Sequence, residues 1–148
     1  MAQRLGISGQ ALAWSLAALF WGWTFWACAG EWQHTDAYSY GSLVPLLGGY
    51  FFWRRWQELV PTKIPDFDAR LAWGVIWAAL ILAGPIELIR QTPFYWRPVL
   101  WMMGLCAATV TLAATYLTGG GVGLRAMAFA ALFPLVSIPW VGIWEIQT

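Results

Sequence analysis

The chain has 148 residues, of which 60% are hydrophobic, 18% aromatic and only 10% charged, and its net charge is +1. This composition excludes an ordinary soluble domain, in which about 25% of the residues are charged. The absence of a basic patch excludes a nucleic-acid-binding protein, because such a protein must neutralise phosphates. We therefore expect a membrane protein.

Uncharged runs mark the predicted membrane segments, because a charge at the centre of a bilayer costs about 2.5 to 3.5 kcal/mol. The first run, residues 5–30, exceeds the roughly 20 residues that a spanning helix needs. It is also longer than the core of a signal peptide, about 7 to 15 residues, so we predict an uncleaved anchor, with Ala27-Cys28-Ala29 as the alternative cleavage site. The predicted spans are 11–30, 37–53, 71–86, 99–117 and 126–144.

These spans predict one all-α membrane domain, residues 1–148, built as a bundle of about five transmembrane segments. Segment 37–53 contains Pro45 and the pair Gly48-Gly49, which indicates either a kinked span or a re-entrant element. The glycine-rich stretch 118–123 is predicted to connect the last two spans. It lacks the lysine of a phosphate-binding loop and leads into a membrane span, so we do not assign it to a nucleotide.

The basic residues predict the orientation, since cytoplasmic loops carry an excess of Lys and Arg. With the N-terminus inside, the inner side collects Arg4, Arg54, Arg55, Lys63, Arg70 and Arg125, and the outer side only Arg90 and Arg97. The outer side also holds Glu31, His34, Asp36, Glu87 and Glu145. The sequence thus predicts a multi-pass protein of the cytoplasmic membrane. Interfacial anchoring is predicted for Trp26, Trp32, Trp96, Trp101, Trp140 and Trp144 outside and for Trp53, Trp56 and Trp73 inside.

Two outer clusters carry polar side chains. His34 and Asp36 lie two positions apart and form either an acid and base pair or an ordinary solvated loop. Glu87 and Arg90 lie three apart, so they are predicted to pair on a helix, either for structure or as a substrate clamp. The sequence offers no metal site and no cofactor site.

Two blocks of sequence resemble the exosortase/archaeosortase family. The first is DAYSYGSLVPLL at 36–47, followed by GYFFWRRWQEL at 49–59, and the second is FAALFPLVSIPW at 129–140. Their order and separation extend the likeness from Glu31 to Trp144.

The resemblance implies a multi-span, thiol-dependent protease or transpeptidase that processes the C-terminal sorting signals of exported proteins at the outer side of the cytoplasmic membrane. The family's catalytic Cys, Arg and His lie in its C-terminal half, which the resemblance places beyond Thr148. Cys28-Ala29-Gly30 imitates the family's cysteine motif but closes the first span, and Cys106 is mid-span, so both are interpreted as inert core residues and no catalytic residue is assigned. The expected rim of the substrate site consists of His34, Asp36, Tyr38, Tyr40 and Arg97.

Several alternatives remain open at the level of sequence. The chain is an N-terminal fragment of a longer exosortase, one of two separate halves, or an inactive relative. A different class of protein, a small five-span, Trp-rich protein of the sensory kind that binds an apolar ligand, fits the composition but lacks that family's Trp-x-Pro-Pro segment. A third alternative is an accessory subunit that packs on another membrane protein through small residues such as those of 126–131. The partners expected for an exosortase-like protein are the lipid bilayer, exported proteins with a sorting signal and a missing second-half chain.

Overall fold

A computed structural model describes residues 2–34, 36–58, 69–92 and 97–139. It contains four α-helices, α1 Ala2–His34, α2 Val44–Glu58, α3 Ala69–Arg90 and α4 Pro98–Leu132. Two short 3₁₀ helices, Asp36–Ser42 and Phe133–Ser137, precede α2 and follow α4. The described part of the chain has no strand, which confirms the prediction of an all-α helical bundle.

Helix α4 folds back on itself at Gly120, where the backbone adopts φ 60° and ψ −154°. A first arm, residues 98–119, therefore runs against a second arm, residues 121–132. The turn brings Gly123 so close to the first arm that a Cβ there would lie 3.3 Å from the carbonyl oxygen of Thr115. The predicted connector 118–123 thus contains the turn between the two arms. Glycine is required at position 120, because residues with a side chain disfavour the backbone conformation found there.

Side-chain contacts fix the direction of each helix. Gln10 and Trp21 of α1 contact Leu117 and Thr111 of α4, so α1 and the first arm are antiparallel. Helix α3 runs parallel to α1. Near the end of both helices, Trp23 of α1 donates a hydrogen bond to Glu87 of α3, and near the start of both, Gly9 lies beside Trp73. Helix α2 is antiparallel to α1, since the Phe52 ring near its end packs on Trp14.

Counting the two arms of α4 separately, the described helices pass along the bundle five times in alternating directions. Within the residues that the structure describes, three helical stretches are long and apolar enough to cross a membrane: Gly9–His34, Ala69–Arg90 and Pro98–Ser137, of which the last includes the turn at Gly120. Helix α2 has 15 residues, about 22 Å at 1.5 Å per residue, and is shorter than the roughly 30 Å hydrocarbon core.

The predicted segment 37–53 is therefore not one continuous helix. Its first residues form the 3₁₀ helix Asp36–Ser42, and α2 begins only at Val44. Pro45 occupies the first turn of α2, where its missing N–H leaves no backbone hydrogen bond unmade. The last predicted span also changes character, because the α-helix ends at Leu132 and 3₁₀ geometry follows around Pro134.

The first arm of α4 forms the centre of the bundle, and its small residues Ala107 and Ala114 are fully buried. Such residues allow close helix approach in a membrane. Indole groups of α1 complete this packing, because Trp21 Nε1 donates to Thr111 Oγ1 over 2.9 Å and Trp14 Nε1 donates to Thr118 Oγ1 over 3.1 Å. Several tryptophans thus act as interhelical hydrogen-bond donors, a role that the sequence analysis did not predict.

The polar side chains gather at the two ends of the bundle. We call one end the polar end, defined by Glu31, Tyr38, Glu87, Arg90 and Arg97, and the other the basic end, defined by Arg54, Arg55, Arg70 and Arg125. This division matches the one predicted from the sequence, whereas the assignment of the basic end to the cytoplasm remains a prediction. Lys63, Trp96, Trp140, Trp144 and Glu145 lie outside the described residues.

Candidate functional site

An ion pair between Glu31 and Arg97 joins the end of α1 to the start of α4. Glu31 Oε2 and Arg97 Nη2 lie 3.6 Å apart, and the two side chains are 19% and 21% exposed. Within the described residues, nothing donates a hydrogen bond to the buried Glu31 Oε2. At this separation the pair is an electrostatic contact without a short hydrogen bond, so it holds its two charges together less rigidly than a bidentate pair.

Arg97 also contacts the segment that connects α1 to α2. Its guanidinium lies 5.7 Å from the centre of the Tyr38 ring, a distance suited to a cation–π interaction. The first 3₁₀ helix supplies Tyr38, so three separate segments meet at the Arg97 side chain. The cluster thus combines a cation, a carboxylate and an aromatic ring.

A second ion pair, between Glu87 and Arg90, has a different character. It is bidentate, with Arg90 Nε to Glu87 Oε2 at 2.7 Å and Nη2 to Oε1 at 2.6 Å. Trp23 and Gln91 donate further hydrogen bonds to the same carboxylate, and the Arg90 guanidinium lies over the Trp26 ring. The predicted pairing is confirmed. Because both carboxylate oxygens already accept bonds from the protein, the pair acts as a structural link between α3 and α1.

Two indole groups hold the last described segment against the polar end. Trp32 Nε1 donates to the carbonyl oxygen of Ser137, and Trp101 Nε1 donates to that of Pro139, each over 2.9 Å. Gly41 makes room for the first contact, because a Cβ there would overlap the Trp32 ring. Gly104 makes room in a similar way for Ile138, which a Cβ at position 104 would overlap. We call Trp32 and Trp101 the indole clamp.

A family model for the transmembrane exosortase matches residues 32–148. The chain belongs to the transmembrane exosortase family. No curated protein and no solved structure shows a significant match. The family match covers both blocks on which the resemblance was based. It also covers the indole clamp, both arms of α4 and every residue that defines the polar end except Glu31, which directly precedes it.

The structure brings together two of the five residues predicted to form the rim of an exosortase substrate site, Tyr38 and Arg97. His34 and Tyr40 are exposed near this end of the bundle, and Asp36 begins the first 3₁₀ helix. The His34 Nδ1 lies 2.7 Å from the carbonyl oxygen of Gly30, one turn earlier in the same helix. This contact occupies one ring nitrogen with the backbone of α1.

Neither cysteine is placed as a nucleophile for an exosortase reaction. Cys28 has no exposed surface and Cys106 only 8%, so a substrate carbonyl cannot reach either thiol in this structure. The described residues also contain no group of three His, Cys, Asp or Glu side chains that would hold a metal ion.

Sequence reasoning missed Glu31 as a site residue and missed the indole clamp. The signal for Glu31 was its position as the first charge after the uncharged run 5–30. The partner of Trp32 is Ser137, 105 residues away, and a single sequence gives no signal for so distant a contact.

Proposed function

We propose that the cluster of Arg97, Glu31 and Tyr38 at the polar end forms part of the site at which this exosortase-family protein receives the C-terminal sorting signal of exported proteins, at the outer side of the cytoplasmic membrane. The reaction, as in the family, would be thiol-dependent processing of that signal. The observation that carries the proposal is the meeting of Arg97, Glu31 and Tyr38 from three segments. Arg97 and Tyr38 lie within the region that matches the family, and Glu31 directly precedes it.

The burial of both cysteines supports a catalytic nucleophile that lies outside residues 1–148. Because Cys28 and Cys106 are enclosed by packed side chains, the nucleophile would come from a different part of the enzyme. We propose that residues 1–148 correspond to the N-terminal half of an exosortase domain and contribute its scaffold and the rim of its substrate site. His34, Asp36 and Tyr40 would complete that rim beside the Arg97 cluster.

The proposal predicts a particular response to reversing the Glu31–Arg97 pair. Each single variant, Glu31→Arg or Arg97→Glu, places two like charges together in a site that is about one-fifth exposed, which we expect to cost about 1 to 3 kcal/mol and to lower the amount of protein in the membrane. The double variant restores opposite charges and therefore the protein level. Processing of an exported reporter should stay at least about tenfold below wild type, because Arg97 would no longer present its cation to the signal.

The measurement is the fraction of a sorting-signal reporter that is processed in cells carrying the native protein or a variant, divided by the amount of the protein in membranes. Glu87→Gln is the control, since it weakens an ion pair of the same end that we interpret as structural; its processing per molecule should equal that of wild type. If the double variant recovers both level and processing, the Glu31–Arg97 pair is only structural and the proposed rim is wrong.

A further inference from the structure

An apolar groove runs along the bundle between α1, α2 and the second arm of α4. Its volume is about 250 Å³, and its walls include Ala18 and Trp21 of α1, Gly48 and Phe52 of α2, and Ala131 and Pro134. The Thr111 hydroxyl in its wall already accepts from Trp21 and donates to Ala107. The described lining therefore offers a ligand hydrocarbon contact and no unused hydroxyl.

The α2 wall of the groove leads to an aromatic ring and a cation. Groove residues on α2 are Pro45, Gly48, Gly49 and Phe52, so the positions one turn later are Arg55 and Trp56. Trp56 packs on Trp14 and Phe52 at the end of the groove, and Arg55 precedes it on the helix. The second arm brings another cation to this end of the bundle. Phe51 packs edge-to-face on Phe129 at 5.9 Å, and in two antiparallel helices the positions one turn further towards the basic end are Arg55 and Arg125.

Among the described residues, the cations at this mouth outnumber the acids that could balance them. Arg54 and Arg55 share the carboxylate of Glu58, at 3.8 Å and 3.1 Å, and their side chains are 66% and 54% exposed. Arg125 is exposed as well. In the described part of the basic end, Glu58 is the only acidic residue, so these guanidinium groups together carry a positive excess that attracts an anion.

Tryptophan side chains indicate the depth of this mouth in the bilayer. Trp53 and Trp56, on either side of the two arginines, are 59% and 40% exposed. Indole rings favour the boundary between hydrocarbon and headgroups. An apolar groove below that boundary and a cationic mouth at it match an amphiphile with a hydrocarbon tail and an anionic head.

We propose that this groove and its mouth bind one anionic phospholipid, with the phosphate at Arg55 and Arg125 and part of one acyl chain between α1, α2 and the second arm. The volume supports this assignment, because about 250 Å³ lies just below the range of small-molecule pockets and holds a stretch of one chain. The site is distinct from the substrate rim, since it lies along α2 and its two cations belong to the opposite end of the bundle.

The test is native mass spectrometry of the protein released from bilayers that contain equal amounts of phosphatidylglycerol and phosphatidylcholine. We expect one retained lipid per chain, at least about tenfold enriched in phosphatidylglycerol. The Arg55→Gln/Arg125→Gln double variant should lose this enrichment by about tenfold or more, since each cation near an anionic headgroup contributes to binding. Ala18→Leu should lower retention by filling the groove with a larger side chain.

Two controls separate specific binding from general effects. Ala78→Leu adds the same side chain on an exposed position of α3 outside the groove and should retain the lipid as wild type does. Arg70→Gln removes a charge of the same end outside α2 and the second arm and should also leave retention unchanged. Equal retention of the two lipids, or unchanged retention in the double variant, would overturn the proposal. So would binding of free glycerol phosphate with the affinity of the lipid, because the hydrocarbon groove would then contribute nothing.

Discussion

Replacing Gly120 by alanine is expected to destabilise the protein by straining the turn within α4. Gly120 has φ 60° and ψ −154°, a region that is essentially restricted to glycine and costs other residues about 1 to 3 kcal/mol. The penalty falls on the turn that reverses α4, so relief of the strain would separate the second arm from the first. We expect a lower melting temperature in detergent and a smaller folded, monodisperse fraction.

The neighbouring glycine gives a matched control for this variant. Gly121 has no atom within 4 Å of the position of an added Cβ and no positive φ. Gly121→Ala therefore adds the same methyl group one residue away and should melt within a degree or two of wild type. If the two variants melt alike, the tight reversal at Gly120 is wrong, and α4 continues through this point with ordinary helical geometry.

Replacing Gly41 by alanine is expected to release the indole clamp. The added Cβ would overlap the rigid Trp32 ring, so the ring must move and lose its hydrogen bond to the Ser137 carbonyl. Overpacking and the lost bond together should cost about 1 to 3 kcal/mol. Because Trp32 then no longer holds the segment around Ser137, we also expect faster hydrogen exchange at residues 133–138.

Two further variants show whether the loss at Gly41 acts through Trp32. Gly30→Ala adds a methyl group in open space on α1 and should leave exchange at 133–138 unchanged. Trp32→Phe keeps an aromatic ring but removes the donor, so it should accelerate exchange in the same segment as Gly41→Ala does. Wild-type exchange rates in both Gly41→Ala and Trp32→Phe would show that the clamp does not hold this part of the chain.

The fold class and the alternation of segments were predictable because both depend on local composition. A charge in hydrocarbon is costly, so uncharged runs predicted the membrane segments, and the glycine-rich stretch around Gly120 predicted a turn. The same alternation predicted that Arg125 and Arg97 lie at opposite ends of the bundle. The break before α2 was harder to place, because Pro45 is compatible with either a kink inside a helix or the first turn of a new one.

The candidate site was predictable only in part, because its contacts join distant parts of the chain. The loop residue Tyr38 was recognisable as polar and near an interface, but its position beside Arg97 depends on the packing of α1 against α4. Trp32 was predicted to anchor in the interface, whereas its N–H is bonded to Ser137. An indole at a helix end is compatible with both roles, and only the tertiary structure distinguishes them.

Photo-crosslinking from the polar end to an exported reporter with a C-terminal sorting signal shows most directly whether this end receives the signal. A photoreactive phenylalanine would replace Tyr40 at the polar end or Trp56 at the basic end, two side chains of similar exposure, 42% and 40%. We expect an adduct from position 40 that requires the sorting signal, and none from position 56. An adduct from position 56 alone, or from both positions equally, would contradict the assignment of the polar end as the receiving site.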